Sequence, residues 1–118
     1  MLSNSDVLIT GGTGSFGNAF VSSTLEKFNP NRLIVFSRDE MKQWEMQNEY
    51  KDNSKIRFFL GDIRDKSRLL RALSGVDYVI HAAALKIVTS AEYNPFECIN
   101  TNINGAINLI DAAIDRGV

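Results

Sequence analysis

The chain has 118 residues, 44% of them hydrophobic and 23% charged, which suits one globular domain and excludes two. A formal net charge of -1 gives no reason to expect nucleic acid or an anionic membrane as partner. No apolar run approaches the length that spans a bilayer, and Met1 is soon followed by polar Ser3-Asn4-Ser5-Asp6 rather than a signal peptide.

Short apolar runs predict strands over Asp6–Thr10, Arg32–Phe36, Ile56–Leu60 and Val76–Ile80, as in a parallel sheet covered on both faces. The segments between them are long enough for crossover helices, so the order reads β-α-β-α-β-α-β and then a long helix. Phe16, Phe20 and Leu25 fall on one side of the first helix, which Asn29-Pro30-Asn31 closes. Lys51-Asp52-Asn53-Ser54 closes the second. In the last helix Phe96, Ile99, Ile103, Ala106, Ile107, Ile110, Ala113 and Ile114 share one face, and Arg116-Gly117 is a stop signal. Cys98, the single cysteine, lies in this pattern as a packing residue, and a reducing cytoplasm fits it best.

The expected fold is therefore α/β: a Rossmann-type doubly wound parallel sheet with helices on both faces and strand order 3-2-1-4. Such a sheet would continue past Val118 into a fifth strand. Residues 1–118 are accordingly expected to be the N-terminal part of an NADP-binding Rossmann domain, with no second domain. The fourth strand lies at an edge, the kind that recruits another chain, and a homo-oligomer is expected.

The chemistry concentrates at the C-terminal ends of these strands. Thr10-Gly11-Gly12-Thr13-Gly14-Ser15-Phe16-Gly17 joins the first strand to the first helix, with Gly11, Gly14 and Gly17 three residues apart. A helix start offers N–H groups and partial positive charge, and glycines let the backbone approach an anion. About 20 residues after such a turn, NAD enzymes tend to place an acid and NADP enzymes a basic group. That place holds Ser37-Arg38-Asp39-Glu40-Met41-Lys42. The Arg38 fork, the Ser37 hydroxyl and Lys42 suit a 2′-phosphate, whereas Asp39 would argue for NAD if it pointed at the ribose. The same residues also read as a capping box with Ser37 as N-cap and Glu40 three residues on. NADP is the favoured reading.

After the third strand, Asp62-Ile63 could pinch an adenine, or Asp62 or Asp65 could simply cap a turn and helix. After the fourth, small residues at Ala82-Ala83-Ala84 let a flat cofactor lie against the backbone, with Lys86 placed for phosphate or a substrate hydroxyl. His81 reads as structural. Thr101 and Asn102 could face the cofactor loop. No residue is assigned a catalytic or metal-binding role.

Thr10–Gly17, Phe36–Gln43, Phe58–Asp65, His81-Ala82-Ala83-Ala84-Leu85-Lys86 and Ala91–Ile99 together resemble the inverting UDP-N-acetylglucosamine 4,6-dehydratases. These are extended short-chain dehydrogenases/reductases of bacterial pseudaminic-acid, capsule and O-antigen sugar pathways. The resemblance runs through essentially the whole chain. It implies tightly held NADP, with the Gly12–Gly17 turn at the pyrophosphate and Ser37 to Lys42 around the ribose phosphate. It also implies Asp62 and Ile63 at adenine, and Ala82, Ala84, Lys86 and Thr101 along the cofactor, Lys86 also meeting the nucleotide sugar. The implied reaction passes hydride from C4 of the sugar to NADP, loses water across C5 and C6, and returns hydride to C6 with inversion at C5. Two departures stand out. Ile87-Val88-Thr89 replaces the usual His-Val-Pro, and none of Tyr50, Tyr78 and Tyr93 has lysine four residues on, so the family's Tyr-x-x-x-Lys is missing. A related epimerase or reductase, or a binding-only Rossmann module, are the rival readings.

Overall fold

The computed structural model of the chain describes residues 2–82 and 104–118. Strands β1 (Asp6–Thr10), β2 (Arg32–Ser37), β3 (Ile56–Leu60) and β4 (Tyr78–His81) alternate with helices α1 (Ser15–Lys27), α2 (Glu40–Glu49) and α3 (Lys66–Ala72). Helix α4 (Gly105–Arg116) comes last. The sheet is parallel throughout, in the order β3-β2-β1-β4. Thr10 pairs with Phe36 on one side and His81 on the other, so three strand ends line up at one edge.

Alternation along the strands divides the core in two. Val7, Ile9, Leu33 and Val35 pack with Val21 of α1 and Met46 of α2. Leu8, Ile34 and Phe36 pack on the other face with Leu69 and Ala72 of α3 and Leu109 and Ala112 of α4. Near-continuous apolar strands follow, because neither face of β1 or β2 meets water. Strand β3 is an edge, and its outward carbonyls include Ile56 and Leu60. Arg57 Nη1 donates to Ile56 O at 3.0 Å and Arg68 Nε to Leu60 O at 2.9 Å. Two cationic side chains thus occupy acceptors that an added strand would need.

Four sequence expectations require correction. Strand β4 begins at Tyr78 rather than Val76, because Val76 N–H closes a turn onto Leu73 O at 3.1 Å after Gly75, whose φ is 74°. Strand β2 extends one residue further, to Ser37. Helix α1 buries Gly17, Val21 and Thr24, with Phe20 and Leu25 only flanking the core and Phe16 58% exposed. Helix α4 buries Gly105, Leu109 and Ala112, while Ile107, Ile110 and Ile114 are exposed on its opposite side. Phe96, Ile99 and Ile103 of the expected face, and Cys98, lie outside the described residues.

Candidate cofactor-binding site

The β1–α1 turn is built from glycines with different tasks. Gly11 turns the chain at φ 67°, a conformation that side chains resist, while its N–H donates to Phe36 O at 2.9 Å. Gly17 lies so close to the preceding loop that a Cβ there would stand 2.4 Å from Gly12 Cα. Gly14 is the N-cap of α1, with no side chain capping the helix. Asn18 Nδ2 binds Thr13 O at 3.0 Å and Gly14 O at 3.1 Å and so fixes the turn from the helix side. Ser15 and Phe16 form the exposed start of α1, and the Phe16 ring stacks on Phe20.

At the end of β2 the buried Ser37 hydroxyl pairs with Thr13 Oγ1 at 2.9 Å and accepts Asp39 N–H at 3.1 Å. The N-cap of the expected capping box is therefore displaced by two residues. Asp39, not Ser37, is the N-cap of α2, its Oδ1 accepting Lys42 N–H at 3.0 Å. Ser37 is unable to cap because β2 runs through it. Glu40 opens the helix, exposed. Gln43, singled out by no motif, is buried and donates through Nε2 to Ser37 O and Phe59 O, tying the ends of β2 and β3 together.

The turn after β3 is held by charge. Asp62 Oδ1 accepts Arg64 N–H at 2.9 Å, and Oδ2 accepts Arg64 Nε at 3.0 Å and Nη2 at 2.6 Å. Burial by itself would raise the Asp62 pKa, but the hydrogen bonds and positive charge of Arg64, with Arg38 adding to them, hold it below the ordinary carboxylate value. Asp65 caps α3 by accepting Arg68 N–H at 3.2 Å, as one of the two cap readings expects. Helix α4 clamps this turn from below. Asn108 Nδ2 donates to Ile63 O at 3.3 Å and Arg64 O at 3.1 Å, and a Cβ on Gly105 would meet Ile63 Cδ1 at 2.5 Å. A polar residue one turn after a glycine at the start of α4 is the only sequence sign of this clamp.

Asn108→Ala should leave both carbonyls short of a donor and cost about 1–2 kcal/mol. Urea denaturation should show a lower midpoint at unchanged slope. An unchanged midpoint would show that the clamp does not hold the turn.

On the far side, Thr10 Oγ1 accepts Ala82 N–H at 3.0 Å and meets His81 Nδ1 at 2.7 Å. Burial pushes the His81 imidazole below its ordinary pKa, and the ring pairs with the Thr10 hydroxyl through Nδ1. This fixes the backbone of Ala82 beside the turn.

The four strand ends thus enclose a cleft of about 250 Å³. Gly11, Thr13 and Gly14 line it from β1, Ser37, Arg38, Asp39 and Lys42 from β2, Asp62 and Ile63 from the turn after β3, and Ala82 from β4. Ala84, Lys86 and Thr101 lie outside the described residues. The lining fits a dinucleotide carrying phosphates: a backbone turn without side-chain obstruction stands next to Arg38 and Lys42.

A parallel β3-β2-β1-β4 sheet with a glycine turn at its central strand end defines a Rossmann-type unit. Residues 7–118 match the model of the family described as polysaccharide biosynthesis protein, and the chain belongs to that family. It is 54% identical over 118 residues to the UDP-N-acetylglucosamine 4,6-dehydratase (inverting) of Campylobacter jejuni subsp. jejuni serotype O:23/36, covering 100% of this chain and 35% of that protein. The crystal structure of Pen from Bacillus thuringiensis superposes with a TM-score of 0.96 at 44% identity, covering 100% of this chain and 36% of that one. DesIV, a dTDP-glucose 4,6-dehydratase of Streptomyces venezuelae solved with NAD bound, superposes with a TM-score of 0.84 at 30% identity, covering 96% and 37%. The chain spans about a third of the length of the curated relatives it matches.

Proposed function

We propose that these residues are the NADP-holding part of a nucleotide-sugar 4,6-dehydratase, a hydro-lyase acting on the UDP-N-acetylglucosamine class with inversion at C5. The observation that carries the reading is 54% identity along the entire chain to a protein of that activity. The cleft supports it from the side of chemistry. Gly11, Thr13, Gly14, Ser15, Phe16 and Gly17 are assigned to the pyrophosphate, where a glycine-rich turn and a helix start with no side-chain cap suit an anion. Ser37, Arg38 and Lys42 are assigned to the ribose 2′-phosphate, with Asp39 and Glu40 shaping the helix start beside it. Asp62 and Ile63 take the adenine side, and Ala82, Ala84, Lys86 and Thr101 continue along the cofactor, Lys86 toward the sugar.

Asp39 bears on the choice between NADP and NAD. One of its carboxylate oxygens accepts the Lys42 N–H as the helix cap, which supports Arg38 rather than Asp39 as the residue that reads the ribose. When bound, the cofactor supplies the acceptor and donor of hydride. The protein residues named here bind and orient it. The single cysteine supports a reducing, cytoplasmic setting, and the exposed row Ile107, Ile110 and Ile114 supports a homo-oligomer.

No tyrosine among the 118 residues is followed by lysine at the fourth position, so these residues are assigned no proton-transfer role. The chain incubated with UDP-N-acetylglucosamine and NADP should bind cofactor but form no 4-keto sugar. Cofactor binding is read by calorimetry and the keto product by NMR. Failure to bind either nicotinamide nucleotide would sink the assignment of the cleft. Keto product from the pure chain would show that proton-transfer groups lie within it.

A further inference from the structure

The carboxylate of Asp62 stands between two guanidinium groups that hold it unequally. Arg64 grips Oδ2 with its fork, Nη2 at 2.6 Å and Nε at 3.0 Å, while its backbone N–H takes Oδ1 at 2.9 Å. Arg38 Nη1 approaches the same Oδ2 at 3.7 Å, an ion pair beyond hydrogen-bond distance. Oδ2 has its acceptor directions filled by two Arg64 donors, so a second fork does not seat there. Arg38 is also the more exposed of the two, at 46% against 30%.

The distances set up a competition. A guanidinium in hydrogen-bond contact holds a carboxylate more strongly than one at ion-pair distance, and of the two arginines Arg64 is the one in contact. Without the Arg64 fork, Asp62 would present unfilled acceptors and a full negative charge within 3.7 Å of Arg38. Arg38 would then close onto Asp62, and a phosphate would have to displace it.

We propose that Arg64 is a specificity-determining residue that acts through Arg38. By filling the acceptor directions of Asp62 Oδ2 it keeps Arg38 from closing onto that oxygen, and so sets the preference for a 2′-phosphorylated adenine nucleotide over the same nucleotide without the 2′-phosphate. Arg64 is a positioning residue here, and the proposal rests on the assignment of Arg38 to the 2′-phosphate given above.

The readout is the ratio of affinities for 2′-phospho-ADP-ribose and ADP-ribose, measured by calorimetry on one preparation of each variant. Arg64→Met should lower that ratio at least about fivefold. Arg64→Lys, which keeps the charge but not the fork, should fall between wild type and Arg64→Met. It also decides the matter if the methionine variant does not fold. In an Arg38→Ala background, Arg64→Met should change the ratio by no more than about twofold, because the residue through which it acts is gone.

An unchanged ratio in both Arg64 variants overturns the proposal. So does an equal loss in the Arg38→Ala background, which would make Arg64 a phosphate contact or a source of field in its own right. A wild-type ratio near one, untouched by Arg38→Ala, would instead overturn the assignment of Arg38 and this inference with it.

Discussion

Gly17→Ala should lose the fold around the turn and nucleotide binding together, whereas Gly14→Ala should keep the first and lose only the second. A Cβ at Gly17 would stand 2.4 Å from Gly12 Cα and 2.5 Å from Gly11 O. Both are backbone atoms, so no side chain is able to swing away. Relief requires moving α1 off the β1 turn, which would also disturb Val21 in the core. Overpacking of this kind costs about 3 kcal/mol, roughly 10 °C in melting temperature for a domain of this size. At Gly14 the nearest atom to an added Cβ is Gly11 O at 3.5 Å, an ordinary contact, and φ is -78°. Among the described residues nothing therefore requires Gly14 to lack a side chain. If the reason is the approach of a phosphate, Gly14→Ala should melt within about 2 °C of wild type yet bind ADP-ribose at least about tenfold more weakly. Differential scanning calorimetry and titration of the two variants check this. Normal binding by Gly14→Ala would remove the pyrophosphate from this turn.

The strands and the glycine turn are legible in the sequence because each is set locally. The expected bounds of β1 and β3 match the structure residue for residue, since apolar runs end there in turn residues. Where the reading slipped, the deciding contact comes from elsewhere in the chain. Val76 is buried like a strand residue, but its N–H is taken by the end of α3. Ser37 has the chemistry of an N-cap, but β3 pairs with β2 through Ser37 and its hydroxyl is claimed by Thr13. Helix α4 offers two opposite sides, one rich in isoleucine and one carrying Gly105, Leu109 and Ala112. Periodicity finds the larger apolar stripe; close approach to Ile63, which only Gly105 permits, chooses the smaller one. In the site, the residues assigned to the cofactor by motif were visible. Gln43, Asn108 and Arg64, which hold those residues in place, were not, because their partners lie on other strands and helices or, for Arg64, in a side chain already given another task.

Arg38→Ala should weaken 2′-phospho-ADP-ribose strongly and ADP-ribose little. Arg38 lies at the cleft side of the β2–α2 junction, one residue past Ser37 and one helical turn before Lys42. Its guanidinium is always charged and offers a planar fork, the geometry that a phosphate monoester takes with two parallel hydrogen bonds. Hydrogen bonds to a charged group contribute about 1.5–3 kcal/mol. The side chain is 46% exposed, so solvent and salt screen the contact and the lower half of that range applies. The expected loss is then about 1.5–2 kcal/mol, roughly twelve- to thirtyfold in Kd. For ADP-ribose the change should stay within about threefold, because it has no 2′-phosphate for the fork to hold. Lys42→Ala, removing a point charge on a flexible stem, should show the same selectivity at smaller size. Raising the salt concentration should shrink the Arg38 effect on the 2′-phosphorylated ligand and leave its small effect on ADP-ribose nearly unchanged. Equal losses for both ligands would place Arg38 against the adenosine instead of the phosphate, and the preference for NADP would then need another source.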